Sequence, residues 1–476
     1  MKITVLGLIV LPLGVYLFAK GTRPLFWATV WAIPFFDTII LFLPFAPVRP
    51  FQYLAGLLMV RYVINMLVQG QEPVVRRSSA VLVALGFILS LVASLFMPLL
   101  LSTPIYIVPE GHVDLWKAYQ NPKLLRFGLS NLTQLAYPVF GVSLFLTIEW
   151  SIWSKRDLKR VVRILVKAFF ILGGFMVLYQ LAYLIGIEAP VDFLFFLFQG
   201  EADASFSGYN ALAGLIRAHT PAGEPGYTGL YYGIVLSLVM GLSYGGYVKG
   251  WRFNRQLTGL ILVSIVLNAS TTGFFSVVVI LGSFIVVSLL RRNGRVMARS
   301  NVRTMVQLLL VLTVTSATVL AVAQTFGISL VEILVTQHLE KITEGAGSGA
   351  FRLKTIFYTM EEVFPKSPIL GVGYGSHRAL SLIVFLIANV GVVGVGMFFL
   401  LNGVVFVHVV RVMNKTVDPE LASIAFALSV THMSLLIILM VKGSVGFVSG
   451  WLWLFLGLSE ACYRLYRSRE RSVAIQ

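Results

Sequence analysis

The chain has 476 residues, of which 58% are hydrophobic and 12% charged, with a formal net charge of +17. A soluble globular domain carries about 25% charged residues, so half that share, with a mean hydropathy of +0.87, excludes a cytosolic enzyme, a disordered chain and a fibrous protein. One cysteine, Cys462, excludes a disulfide scaffold and a cysteine-based metal cluster.

The apolar residues come in runs of about 20, the length that crosses a ~30 Å hydrocarbon layer. They predict an all-α fold: a polytopic integral membrane protein of about 12–13 transmembrane helices in a single domain over residues 1–476. Long external loops would carry short amphipathic helices. In chain order the spans fall at 1–19, 25–47, 51–69, 80–104, 131–153, 164–187, 228–248, 257–269, 272–290, 304–327, 385–410, 421–441 and 445–463. Met1–Ala19 is followed by Lys20-Gly-Thr-Arg23-Pro, not by a small-residue cleavage site, and so reads as a span.

The connections alternate in charge. Lys20 and Arg23, Arg76 and Arg77, Lys155 to Arg163, Lys249 to Arg255, Arg291 to Arg303, Arg411 and Lys415, and Arg464 to Arg471 form a basic set, and the other set is neutral. A Lys/Arg excess marks cytoplasmic loops, which puts the C-terminus inside and the N-terminus outside. The basic runs are therefore topogenic and do not point to nucleic acid. The cytoplasmic connections are short, and the chain has no GxxxxGK[ST] P-loop, which argues against an ATP-driven pump.

The long connections are external, at 105–130, 188–227 and 327–378. Structureless loops of such length are usually functional. The second ends in Ile216-Arg217-Ala-His219-Thr-Pro-Ala-Gly-Glu224-Pro225-Gly226-Tyr227, directly before a span. A guanidinium there would grip phosphate oxygens with a planar fork, and Glu224 would pair with it or act as a base. The third contains an amphipathic helix at Gly349–Phe364, with Phe351, Ile356, Phe357, Met360 and Phe364 near helical spacing, stopped by Pro365 and Pro368. It carries Arg352 and Lys354. His377 and Arg378 follow Gly371-Val-Gly373-Tyr-Gly375, which reads as a tight turn with close backbone approach. Such cations, facing one cleft, would suit a diphosphate-bearing lipid.

Charges inside the predicted spans are few: Asp37, Arg61, Glu149 and Lys167, with Asp37 the strongest functional candidate. None of the six histidines makes an HxxxH pair, so neither a metal nor another cofactor is called for. His432 fits an interhelical hydrogen bond better than a proton relay, and His408 an interfacial helix end. Asn268-Ala-Ser270-Thr271-Thr272-Gly273 is a polar turn on the same face as the long loops.

Taken in order, these segments resemble the O-antigen ligase and Wzy-type polysaccharide polymerase family of bacterial membrane proteins. The resemblance rests on Arg217, Glu224 and Pro225, on Ser270–Gly273, and on the run from Arg352 through Phe364-Pro365, Ser367-Pro368 and Gly371–Ser376 to Asn389, Gly391 and Gly394. It covers roughly 217–399. It implies a metal-independent, GT-C-like glycosyltransferase on the outer face of the bacterial inner membrane, acting on glycans carried by undecaprenyl diphosphate. A ligase would move the glycan to lipid A-core of lipopolysaccharide, and a polymerase to the next lipid-linked repeat unit. The family ligase histidine falls on Leu380 here, which favours the polymerase. The expected roles are a diphosphate clamp of Arg217 and Arg352, a base at Glu224 or His377, and substrate contacts from His219, Lys354, Tyr374 and Arg378. Partners would be the lipid-linked oligosaccharide, membrane lipid and a chain-length regulator protein, with no nucleic acid. The alternatives are a ligase and a flippase or exporter of lipid-linked oligosaccharide.

Overall fold

In a computed structural model of the protein, the described residues are 2–43, 47–69, 78–109, 119, 121–187, 189–199, 220–245, 254–268, 270–291, 348–442 and 450–475. They form an all-α polytopic membrane protein. Its helices are α1 (Val5–Lys20), α2 (Thr22–Ala32), α3 (Pro50–Gln69), α4 (Ser79–Leu95), α5 (Leu129–Ser151), α6 (Lys155–Ile185) and α7 (Ala189–Gln199), then α8 (Pro225–Gly245), α9 (Asn254–Leu267), α10 (Thr271–Leu289), α11 (Ser348–Tyr358), α12 (Leu382–Lys415), α13 (Pro419–Lys442) and α14 (Gly450–Ile475). Among the described residues, eight helices are long and apolar enough to cross a membrane. The predicted span 304–327 lies outside the described residues.

The central helix is α8, the least hydropathic of the eight and the most buried. Its small residues recur every fourth position, at Gly229, Gly233, Ser237 and Gly241. A Cβ on Gly233 would lie 2.7 Å from Ser276 Oγ of α10, and one on Gly241 2.5 Å from Ala427 Cα of α13. The backbones thus approach as closely as small residues permit, which is how helices gain packing where lipid supplies no hydrophobic drive. Ser237 adds a hydrogen bond to Thr431 Oγ1 at 2.9 Å.

The predicted span 25–47 is a correction. Helix α2 stops at Ala32, and the chain then forms a small antiparallel sheet, β1 (Lys2–Ile3), β2 (Leu41–Phe42) and β3 (Pro47–Val48), with Lys2 opposite Phe42 and Leu41 opposite Val48. Pro34, Pro44, Pro47 and Pro50 explain this, because each lacks the N–H that a continuing helix needs. Asp37 therefore sits at one end of the bundle and not at mid-membrane.

Contacts between connections gather at two ends. One end holds the β1–β3 sheet, α7, the start of α8 and the segment 348–381; the Ile39 N–H donates to Phe198 and the Asp37 N–H to Pro221. The other end is basic. There Arg23 meets Asp157 at 3.1 Å, Lys155 meets Asp418 at 2.8 Å and Glu420 at 2.7 Å, and Arg469 also reaches Asp418. Some of the charged and polar groups along the helices meet partners on other helices. Glu149 pairs with Arg464, whose Nε lies 3.5 Å away. His432 is hydrogen-bonded to Asn402 across helices at 3.0 Å, as expected. His408 is buried: it bonds Glu460 at 2.8 Å and stacks on Tyr463.

Candidate functional site

The glycine-rich segment after α11 is built onto a break in α12. Gly391 has φ +60° and interrupts the helix, which frees the carbonyls before it and the N–H groups after it. The segment 368–373 satisfies them. The Val372 N–H donates to Ala388 at 2.8 Å and Gly373 to Asn389 at 3.2 Å, while Val392 donates to Pro368 and Val393 to Ile369. Contact is backbone to backbone: a Cβ on Gly371, itself at φ +70°, would lie 2.3 Å from the Asn389 carbonyl carbon. The close approach expected of this turn is present.

Asn389 pins the next residues. Its Oδ1 accepts from the N–H groups of Ser376 and His377, and its Nδ2 donates to the carbonyls of His377 and Phe385, at 2.7–3.0 Å. Asn131 of α5 donates to the Tyr374 carbonyl and to Ser376 Oγ, both at 2.8 Å.

This scaffold also buries two of the candidate site residues. His377 is fully buried; its Nδ1 accepts from the Val108 N–H at 3.2 Å, which leaves Nε2 to carry the proton towards Thr359 Oγ1 at 2.9 Å. Burial holds its pKa down at about 3. Both nitrogens bond protein groups, so His377 braces the loop. Tyr374 is also buried, edge-on to Phe385, in the core. This burial was not legible in the sequence, because glycine-flanked polar residues look alike whether they face a substrate or a backbone.

A second assembly lies at the start of α8. The turn 220–223 is closed by reciprocal backbone bonds between Thr220 and Gly223, at 3.1 and 2.8 Å, and Thr220 Oγ1 bonds Thr228 Oγ1 at 2.7 Å. Glu224 follows, exposed, with Pro225 at the helix start. Asn268 donates to the Pro225 carbonyl at 2.7 Å, and a Cβ on Gly229 would lie 2.9 Å from Gly273. The two short motifs, Glu224-Pro225-Gly226 and Ser270–Gly273, are therefore neighbours. Arg217 and His219 lie outside the described residues.

The loop that breaks the second span completes the site. Arg49 lies 3.9 Å from Asp37 and stacks on Phe36, its Cζ 4.1 Å from the ring centroid; Phe36 in turn packs on Tyr227 at 5.8 Å. The buried Nε of Arg49 has no hydrogen-bond partner among the described residues. Burial lowers its pKa and Asp37 opposes that. Asp37, Arg49, Phe36 and Tyr227 thus form one chain of contacts at the rim of a membrane helix. Arg49 was missed because a lone arginine between prolines in a short connection has no motif; its signal was its proximity to Asp37 across a proline-rich turn.

Arg352 projects from α11 to the Val441 carbonyl at the end of α13, 3.5 Å away. Lys354 is exposed and two residues on, so it leaves the helix on nearly the opposite side. Arg378 is held at the far side of the glycine loop, where its N–H donates to Val108 at 2.7 Å and its carbonyl accepts from Tyr119. The packed face of α11 and the turn after it is Thr355, Thr359 and Val363, while Phe357 and Met360 are exposed. A π-turn at Thr359–Val363 shifts the register of that face.

No protein-family model matches the chain, and no curated protein matches it.

Proposed function

We propose that the protein is a polymerase of a bacterial surface polysaccharide, transferring a glycan from undecaprenyl diphosphate to a lipid-linked repeat unit at the outer face of the inner membrane. The observation that carries this reading is the pair of Arg49 and Asp37, with Phe36 packed between Arg49 and Tyr227, where α8 begins. A polyprenyl tail between the helices would bring its diphosphate to that rim. Charge alternation along the chain puts the same end outside.

The chemistry needs little. The acceptor hydroxyl oxygen attacks the anomeric carbon, the bond from that carbon to the diphosphate oxygen breaks, and undecaprenyl diphosphate leaves with the electron pair. Glu224, exposed and carboxylate-bearing, takes the hydroxyl proton, and such a base contributes about 10²–10⁴-fold. Arg49 and Arg352 neutralise the charge developing on the leaving group, a preorganised effect that is often the largest single one. Arg217 keeps the clamp role that the resemblance implies. The test is the lipid-linked material that accumulates in cells lacking the protein. Single repeat units support a polymerase, and long lipid-linked polymer means a ligase.

A further inference from the structure

At the basic end, away from the site above, an open cleft of about 560 Å³ lies between the α1–α2 turn, the α5–α6 connection, α13 and the end of α14. It is built by a cap. Ser154 precedes α6, and Asp157 Oδ2 accepts from the N–H groups of Trp153 and Ser154 at 3.1 and 3.0 Å and from the Ser154 hydroxyl at 2.9 Å. This capping box fixes the connection and presents Trp153, 73% exposed, and Arg156 to the outside.

The carboxylates nearby are saturated. Asp157 also takes Arg23; Asp418 takes Lys155, Arg469 and the N–H groups of Glu420 and Leu421; Glu420 takes Lys155 and Lys159. Five cations, Arg23, Lys155, Arg156, Lys159 and Arg469, thus stand against three carboxylates. The walls between them include Leu421 and Leu465. An exposed tryptophan at the end of a membrane helix belongs at the headgroup level. Excess positive charge, apolar walls and that tryptophan together describe an amphiphilic anion, not a soluble one.

We propose that this cleft binds the phosphodiester headgroup of an anionic phospholipid, with Arg156 and Arg469 on the phosphate and Trp153 at the boundary between headgroup and acyl chain. The site is independent of glycan transfer.

The test is native mass spectrometry of the full chain in neutral detergent with equimolar phosphatidylglycerol and phosphatidylcholine. The wild type should retain phosphatidylglycerol preferentially, and Arg156→Gln should weaken that preference about fivefold. Adding Trp153→Ala should abolish it, with melting in lipid-free detergent unchanged because both side chains are exposed. Lys123→Gln, exposed at the other end, should retain the lipid as the wild type does. Equal retention by wild type and double variant overturns the proposal, as does equal loss in Lys123→Gln. Displacement by glycerol phosphate at the concentration of the lipid would mean that a free phosphate suffices, and would overturn the lipid assignment.

Discussion

Asn389→Ala should destabilise the protein more than any other single truncation in the loop scaffold. Asn389, Ser376 and His377 are all buried, at 0%, 4% and 0% exposure. Alanine would strip the acceptor from two buried N–H groups and the donor from the His377 carbonyl, while Phe385 loses only an extra bond at its carbonyl. An orphaned buried polar group costs about 1–3 kcal/mol, so three of them cost about 3–9 kcal/mol before relaxation. Thr359→Val removes one partner, that of His377 Nε2, and should cost about 1–3 kcal/mol by the same rule. Thermal unfolding of the detergent-solubilised variants, followed by loss of monodisperse protein, reads the difference. The Asn389 variant should lose two to three times the midpoint shift of the Thr359 variant, roughly in proportion to the groups orphaned. Equal shifts would refute the claim that Asn389 pins the glycine loop to the break in α12.

Acidification should weaken the same scaffold: His377 is held at about 3 in the fold against ~6.5 unfolded, so its unfolded form gains the proton first and stability falls as pH drops from about 6.5 towards 3. His377→Gln should flatten unfolding midpoints measured between pH 7 and 5, and an unchanged slope would contradict the burial argument. At the basic end burial pushes the Asp418 carboxyl up, but bonds from Lys155, the Leu421 N–H and Arg469 outweigh it and hold it at about 2. Its contribution is present above about pH 4 and lost as pH falls towards 2, so Asp418→Asn should lower the midpoint at pH 7 and remove that step. Cysteines at Ile369 and Val417, 67% and 99% exposed at opposite ends, should differ in intact cells when Cys462 is replaced by serine. An impermeant thiol reagent should label the first alone, and labelling of the second alone would invert the orientation.

Most of the membrane architecture was legible because hydrophobic length and loop charge are local properties. The spans that became α10, α12 and α13 agree with their helices within a few residues, and the alternation of basic loops matches the single end where Lys155, Asp418 and Arg469 meet. The span 25–47 failed because apolar composition outweighed four prolines in the count, whereas the backbone responds to missing N–H groups. That Glu224-Pro225 meets Ser270–Gly273 was not legible, since the close Gly229–Gly273 approach that joins them is a packing contact between helices. The part Asp37 plays beside Arg49 was only half legible, since which cation meets an acid depends on how a sheet of two-residue strands folds back. The amphipathic helix was visible, but its packed face was not: buried threonines bond backward to the helix carbonyls and so behave as apolar residues.

The most direct test of glycan transfer at the Tyr227 rim uses the purified protein in liposomes with undecaprenyl-diphosphate-linked repeat unit, EDTA and no nucleotide. The wild type should extend chains, and release of undecaprenyl diphosphate should match the bonds formed. Arg49→Ala, Arg352→Ala and Arg217→Ala should each lower the rate by about 10²-fold or more while the protein stays folded, and Arg49→Lys should recover little because an ammonium lacks the planar fork. Full activity in the arginine variants, or chain extension that requires a divalent ion, would contradict the account.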